Sequence, residues 1–258
     1  MRVTVKMIRD LIDGFAPFDT ALESDNVGLL VGRAQQEVRT VLVALDVTPG
    51  VIQEARDLDA QLIVSHHPLM RSPRRDLIEE DREGALLAGL IRAELSLIAA
   101  HTNFDKAAGG VSDALLATLG LFGEKQEGES GLTRTVTLDE PLTVDVLARL
   151  TEAKLGDAVR RITLPGDDRP VRKLTVCGGS GGDFWQDALK AGADCFLTGE
   201  GKHHIALEAV QRGLRMLEAG HAATERPGAA ALCEALQRAA DAVQYSVQIV
   251  LSSRAPYA

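Results

Sequence analysis

The chain has 258 residues, with 28 basic against 37 acidic side chains and a net charge of −9. Its 45% hydrophobic and 25% charged residues are a globular composition and exclude a disordered or fibrous chain. The acidic balance and an aromatic content of 3% exclude nucleic acid as the main partner, since phosphates call for clustered Lys and Arg and single strands for stacking aromatics.

The longest apolar stretch, residues 84–100, is interrupted by Arg92 and Glu94. It falls short of the roughly 18 uninterrupted apolar residues of a membrane span. The opening Met1-Arg2-Val3-Thr4-Val5-Lys6 has no signal-peptide core. Cys177, Cys195 and Cys233 share no metal-type spacing, which points to buried thiols in a reducing compartment. A cytoplasmic protein is expected. The basic run 71–75 is followed at once by Asp76, Glu79, Glu80 and Asp81 and reads as a solvated loop.

In chain order, residues 40–45 form a buried-strand run, and Thr48 and Pro49 supply an N-cap and a first helical position for a helix to about residue 58. Residues 62–64 predict a strand, 84–94 a helix and 95–100 a strand. Gly109-Gly110 opens a helix that ends at Gly120 or Gly123. The polar stretch 123–131 is the expected boundary between halves, 1–125 and 126–258, and leaves no room for an inserted middle domain. Beyond it, 143–155 predicts a helix, 159–164 an extended segment and 173–177 a strand. Helices follow at 183–191, 202–212 and 227–240, with strands at 195–197, 214–217 and 247–251. Such alternation means an α/β fold with largely parallel sheets.

The two halves also resemble each other. Residues 55–67 align without a gap on 188–200, and Leu97-Ile98-Ala99-Ala100-His101 resembles Leu217-Glu218-Ala219-Gly220-His221. Asp105 and Glu225 stand four residues after those histidines. This pattern predicts two similar, interlocked α/β halves with a metal site in the cleft between them.

All six histidines lie in four clusters: His66-His67, His101, His203-His204 and His221. Three of the clusters follow an apolar strand run, and α/β sheets bind ligands at the carboxyl ends of strands. With Asp105 and Glu225 beside them and no cysteine near, they form a ligand set for Zn, Fe, Mn or Ni. Neighbouring residues leaving a strand point in roughly opposite directions, so His66 and His67 both reach one ion only with a sharp backbone turn, and two ions, each taking one ring, fit more naturally. A carboxylate such as Glu225 can then bridge them.

Asp25-Asn26-Val27-Gly28-Leu29, Ser65-His66-His67-Pro68, His101-Thr102-Asn103-Phe104-Asp105, Thr198-Gly199-Glu200 and Gly220-His221-Ala222-Ala223-Thr224-Glu225 resemble, in order, the motifs of the Nif-three-like family, also labelled GTP cyclohydrolase 1 type 2 homologues. The resemblance spans nearly the whole chain. It implies a toroidal homohexamer with two divalent metal ions per chain, held by His66, His67, Asp105, His221 and Glu225. Ser24 departs from the Trp of many relatives and leaves the metal set untouched.

Asp25, Asn26, His101, Glu200, His203 and His204 are candidates for substrate contact or support of the ligands. Asp46 reads as a helix-start residue rather than a support, and the loop 178–182 as a tight turn rather than a phosphate cradle. The expected activity is a metal-dependent hydrolase acting on a nucleotide, as the cyclohydrolase label implies, or on another phosphate ester. A non-catalytic metal-handling or regulatory protein is the alternative.

Overall fold

A computed structural model of the chain describes residues 2–255. Val5, Ile8 and Ile12 recur at helical spacing and are fully buried on one face of α1 (Val5–Phe15), which Thr4 caps. No element is expected from the sequence before residue 40, so α1 and the short β1 (Gly28–Val31) are additions. Next come β2 (Thr40–Ala44), α2 (Pro49–Asp57), β3 (Leu62–Ser65), α3 (Arg82–Arg92), β4 (Ser96–Ala99) and α4 (Thr102–Lys106). As expected, α2 starts with Thr48 as N-cap and Pro49 in its first turn. Every residue of β2, β3 and β4 is buried, as befits parallel strands covered on both faces.

The chain continues with α5 (Val111–Leu119), β5 (Lys125–Glu127), β6 (Arg134–Leu142), α6 (Val144–Leu155), β7 (Arg160–Ile162), β8 (Val171–Cys177) and α7 (Trp185–Lys190). The last elements are β9 (Cys195–Thr198), α8 (His203–Gln211), β10 (Arg215–Glu218), α9 (His221–Ala242) and β11 (Gln248–Leu251). Pro227 lies inside α9, whereas the sequence reading starts that helix at residue 227. The helix follows β10 directly and accepts an interior Pro, at the cost of the N–H that would reach the fourth residue back.

The described residues divide into two units: those up to Ala108 together with those from Ala229 onward, and Gly109–Gly228. The first unit holds one sheet, β1-β4-β3-β2-β11. All its neighbours are parallel except the edge pair β1–β4. Its core joins Leu42, Ile63 and Leu97 of the sheet to Ile52, Leu86 and Leu90 of α2 and α3. The second unit holds the sheet β5-β6-β8-β9-β10-β7, with β8, β9 and β10 parallel in its centre and antiparallel neighbours on both sides. Each sheet therefore contains three consecutive parallel strands with an antiparallel strand beside the third, the two-half arrangement expected from the repeat.

The division itself differs from the expected 1–125 and 126–258. Leu115, Leu116 and Leu119 of α5 share a core with Leu147 and Leu174, which draws α5 into the second unit. Residues 123–131 are no linker: β5 pairs antiparallel with β6 there. Strand β11 pairs with β2, which returns the end of the chain to the first unit.

Candidate metal centre

In the first unit the chain leaves β3 directly into His66 and His67. Their backbone N–H groups donate to the carbonyls of Ala44 and Leu45, each at 2.9 Å, and the Ser65 hydroxyl donates to His67 O at 2.7 Å. These bonds turn the backbone, so the two rings converge with centroids 5.1 Å apart. The opposite directions expected of strand neighbours are corrected on this point. His101, after β4, brings a third ring to 5.1 Å from His66 and 5.5 Å from His67. Ligand atoms of the three imidazoles lie within 4.8 Å of one another, a group that could hold a metal ion.

Each ring is pinned through one nitrogen. Nδ1 of His66 donates to Ala100 O at 2.9 Å, and Nδ1 of His67 to Asp46 Oδ1 at 2.9 Å. Nδ1 of His101 meets both oxygens of Asp25 at 2.9 Å. Carbonyls and carboxylates only accept, so Nδ1 carries a proton, and in the neutral ring Nε2 is the nitrogen that can ligate a metal. Asp105, in the single turn α4, places Oδ1 3.6 Å from His66 Nε2.

Burial pushes the Asp25 carboxyl up, but hydrogen bonds from His101 and Thr102 outweigh it and hold the group well below the usual carboxylate range. Asp25 is thus an anion that orients His101. Asn26 donates to Met70 O at 2.7 Å, tying its loop to the segment after Pro68. Asp46 accepts from His67, and Thr48 alone caps α2. The helix-start reading of Asp46 is corrected.

In the second unit β10 runs through Gly220 into His221, the first residue of α9. Nδ1 of His221 donates to Glu200 Oε1 at 2.9 Å, so this ring too is held through Nδ1. Glu225, one turn on and almost wholly buried, places Oε2 3.1 Å from that Nε2. Glu200 also accepts from the Ser180 hydroxyl at 2.6 Å. The Ser180 and His221 hydrogen bonds lower its carboxyl.

The loop 178–182 serves this group by close approach. A Cβ on Gly179, whose φ is +59°, would stand 2.0 Å from Glu225 Oε1. Gly179 N–H donates to the Thr224 hydroxyl at 3.0 Å. Among the described residues, His203 and His204 stand exposed on the first turn of α8, outside the hydrogen-bonded group of His221, Glu200 and Ser180.

Fold and side chains together define an α/β protein with histidine and carboxylate groups that could hold a metal ion. The chain belongs to the Duf34/NIF3 (NGG1p interacting factor 3) family, whose model matches residues 3–256. It is 32% identical over 255 residues to a GTP cyclohydrolase 1 type 2 homolog of Clostridium perfringens, covering 96% of this chain and 95% of that one. A protein of the same name from Streptomyces coelicolor is 37% identical over 241 residues, 88% of this chain and 85% of the relative. Among solved structures, a Staphylococcus aureus hypothetical protein superposes with a TM-score of 0.91 at 26% identity, covering 100% of this chain and 99% of that one. Reduced HcgD from Methanocaldococcus jannaschii gives 0.82 at 26% identity, with 98% and 99% covered.

Proposed function

We propose that this chain is a metal-dependent hydrolase acting on a nucleotide or another phosphate ester. Its proposed ligands are His66, His67, Asp105, His221 and Glu225, holding two divalent ions from among Zn, Fe, Mn and Ni, with Glu225 as the bridge. One observation carries this reading. The three imidazoles proposed as ligands, His66, His67 and His221, each give Nδ1–H to a fixed oxygen. Metal-binding histidines are prepared in this way, which sets the tautomer and raises the basicity of the other nitrogen. The donor set fits as well, since imidazole with carboxylate suits these ions and no thiolate takes part.

Divalent ions bound there supply Lewis acidity and lower the pKa of water. The chain's own groups do the rest. Asp46 and Glu200 fix the rings of His67 and His221, and Asp25 fixes His101, which we assign to substrate contact. The name shared by the relatives supports a nucleotide substrate and hydrolysis of a ring C–N bond. The family resemblance supports a homohexamer, and a monomer mass by light scattering at micromolar concentration would remove that assembly. The buried Cys177 and Cys195 thiols support a cytoplasmic location.

The decisive experiment screens metal-loaded protein against nucleotides and phosphodiesters, with Glu225→Gln as control. Metal-dependent turnover that the variant loses supports the hydrolase. Tight, exchangeable metal without turnover overturns it in favour of a metal-handling role.

A further inference from the structure

His67 forms part of the wall of a polar cavity of about 340 Å³ that also takes in Asp46, Ser72, Glu83, Arg71 and Arg82. Its acidic groups are already engaged. Asp46 accepts from His67 at 2.9 Å, and Glu83 pairs with Arg74 at 3.4 Å. Arg71 and Arg82 are different: among the described residues neither guanidinium makes an ion pair or side-chain hydrogen bond, and both are exposed. Arg71 also borders a second cavity, of about 190 Å³, whose wall includes Asp25 and His101. It therefore stands beside the imidazole cluster on two sides. Arg71 and Arg82 thus bring two guanidiniums without an ion pair to a wall that also offers the Ser72 hydroxyl and the His67 imidazole.

We propose that Arg71 and Arg82 form an anion subsite that takes a phosphate group of the substrate beside His67. Guanidinium offers paired N–H donors that match phosphate oxygens, and the Ser72 hydroxyl supplies a further donor. The subsite rests on the hydrolase reading and narrows its substrate to a phosphorylated one, with the phosphate next to the reacting group. Its chemistry is the same for the phosphate of a nucleotide and for free orthophosphate. The run 71–75, read from sequence as a solvated loop, thereby divides: Arg74 is tied into Asp76, Asp81 and Glu83, while Arg71 faces the cavity.

The test uses the full chain stripped of metal with EDTA, so that any anion bound reports the arginines. Orthophosphate, GTP and guanosine are titrated by calorimetry into wild type, Arg71→Met and Arg82→Met. Wild type is expected to bind orthophosphate and GTP, and guanosine at least about tenfold more weakly. Each variant is expected to weaken both anions about tenfold while taking up as much metal as wild type. GTP binding assigns the phosphate to a nucleotide, and binding of orthophosphate alone assigns it to the free anion. Anion affinities unchanged in both variants would overturn the subsite, as would guanosine binding as tightly as GTP or a loss of metal uptake in the variants. A wild type that takes up no metal sinks the hydrolase reading but leaves the anion titration readable.

Discussion

His221 Nε2 lies 3.1 Å from Glu225 Oε2, one turn apart on α9. Nδ1–H of the same ring is given to Glu200, so in the neutral ring a lone pair and a carboxylate oxygen face each other. Such a pair repels unless a proton or a metal cation stands between them.

Glu225→Gln is nearly isosteric and removes the charge that would hold two dications together. The expected outcome is loss of at least one ion per chain with the fold retained, read by elemental analysis beside circular dichroism. His203→Ala should keep the full metal content. A fully metallated Glu225→Gln protein would sink the bridging role.

Asp25→Asn tests the support of His101. An amide can replace the acceptor oxygen but not the anion, so ring orientation survives while its electrostatic backing is lost. Metal content should stay at the wild-type level while turnover falls about tenfold, read by elemental analysis beside the activity assay. Unchanged turnover would mean that Asp25 serves only Thr102 and the α4 turn.

Gly179 and Gly156 make an internal comparison. Both have left-handed φ, +59° and +77°, so Ala at either should destabilise by about 1–2 kcal/mol through the backbone. A Cβ on Gly156 meets open space, whereas one on Gly179 collides with Glu225. Only Gly179→Ala should lose metal, and equal metal content in the two would contradict the close approach.

Asp81 supplies the pH dependence. It caps α3 by accepting from Gly84 N–H at 2.7 Å and accepts from Arg74 Nη2 at 2.6 Å. The Arg74 hydrogen bond, with the Gly84 N–H behind it, lowers its carboxyl from 3.8 to about 2. A carboxyl lowered on folding stabilises the fold above its unfolded value, and the contribution is lost as pH falls toward the folded one. The window therefore runs from 3.8 down to about 2. Carboxyl-carbon NMR should place the Asp81 midpoint near the lower end, and Arg74→Ala should move it up. A wild-type midpoint at 3.8 would rule out the ion pair in solution.

Much of the fold is legible because its parallel strands are short apolar runs punctuated by Gly, Pro and capping Thr. Thr48 and Thr143 both cap the helices they precede. Other features escape local patterns. Strand β6 carries Arg134 and Pro141, which mask its period. Its inner half is buried only because β8 lies beside it, with Thr135 opposite Thr175. The histidine clusters are visible from strand ends, but their convergence depends on the turn after Ser65, which period-two reasoning cannot supply. Asp46 and Asp25 are missed or left open for one reason. Their partners, His67 and His101, lie 21 and 76 residues away, and only the neighbouring strand ends bring them together. The signal available for Asp46 was its place just after β2, one strand from β3.

The return of α9 and β11 to the first unit has a consequence for a chain made from its N-terminus onward. Gly109–Gly228 is continuous and can fold once it has emerged. The first unit cannot: the edge of β2 stays open until Gln248–Leu251 arrives to pair with Thr40–Val43. Leu232, Leu236 and Ala240, all fully buried, arrive late as well. During synthesis the first-made segment is therefore the last to be completed, and it waits with an unpaired strand edge of the kind that recruits other chains.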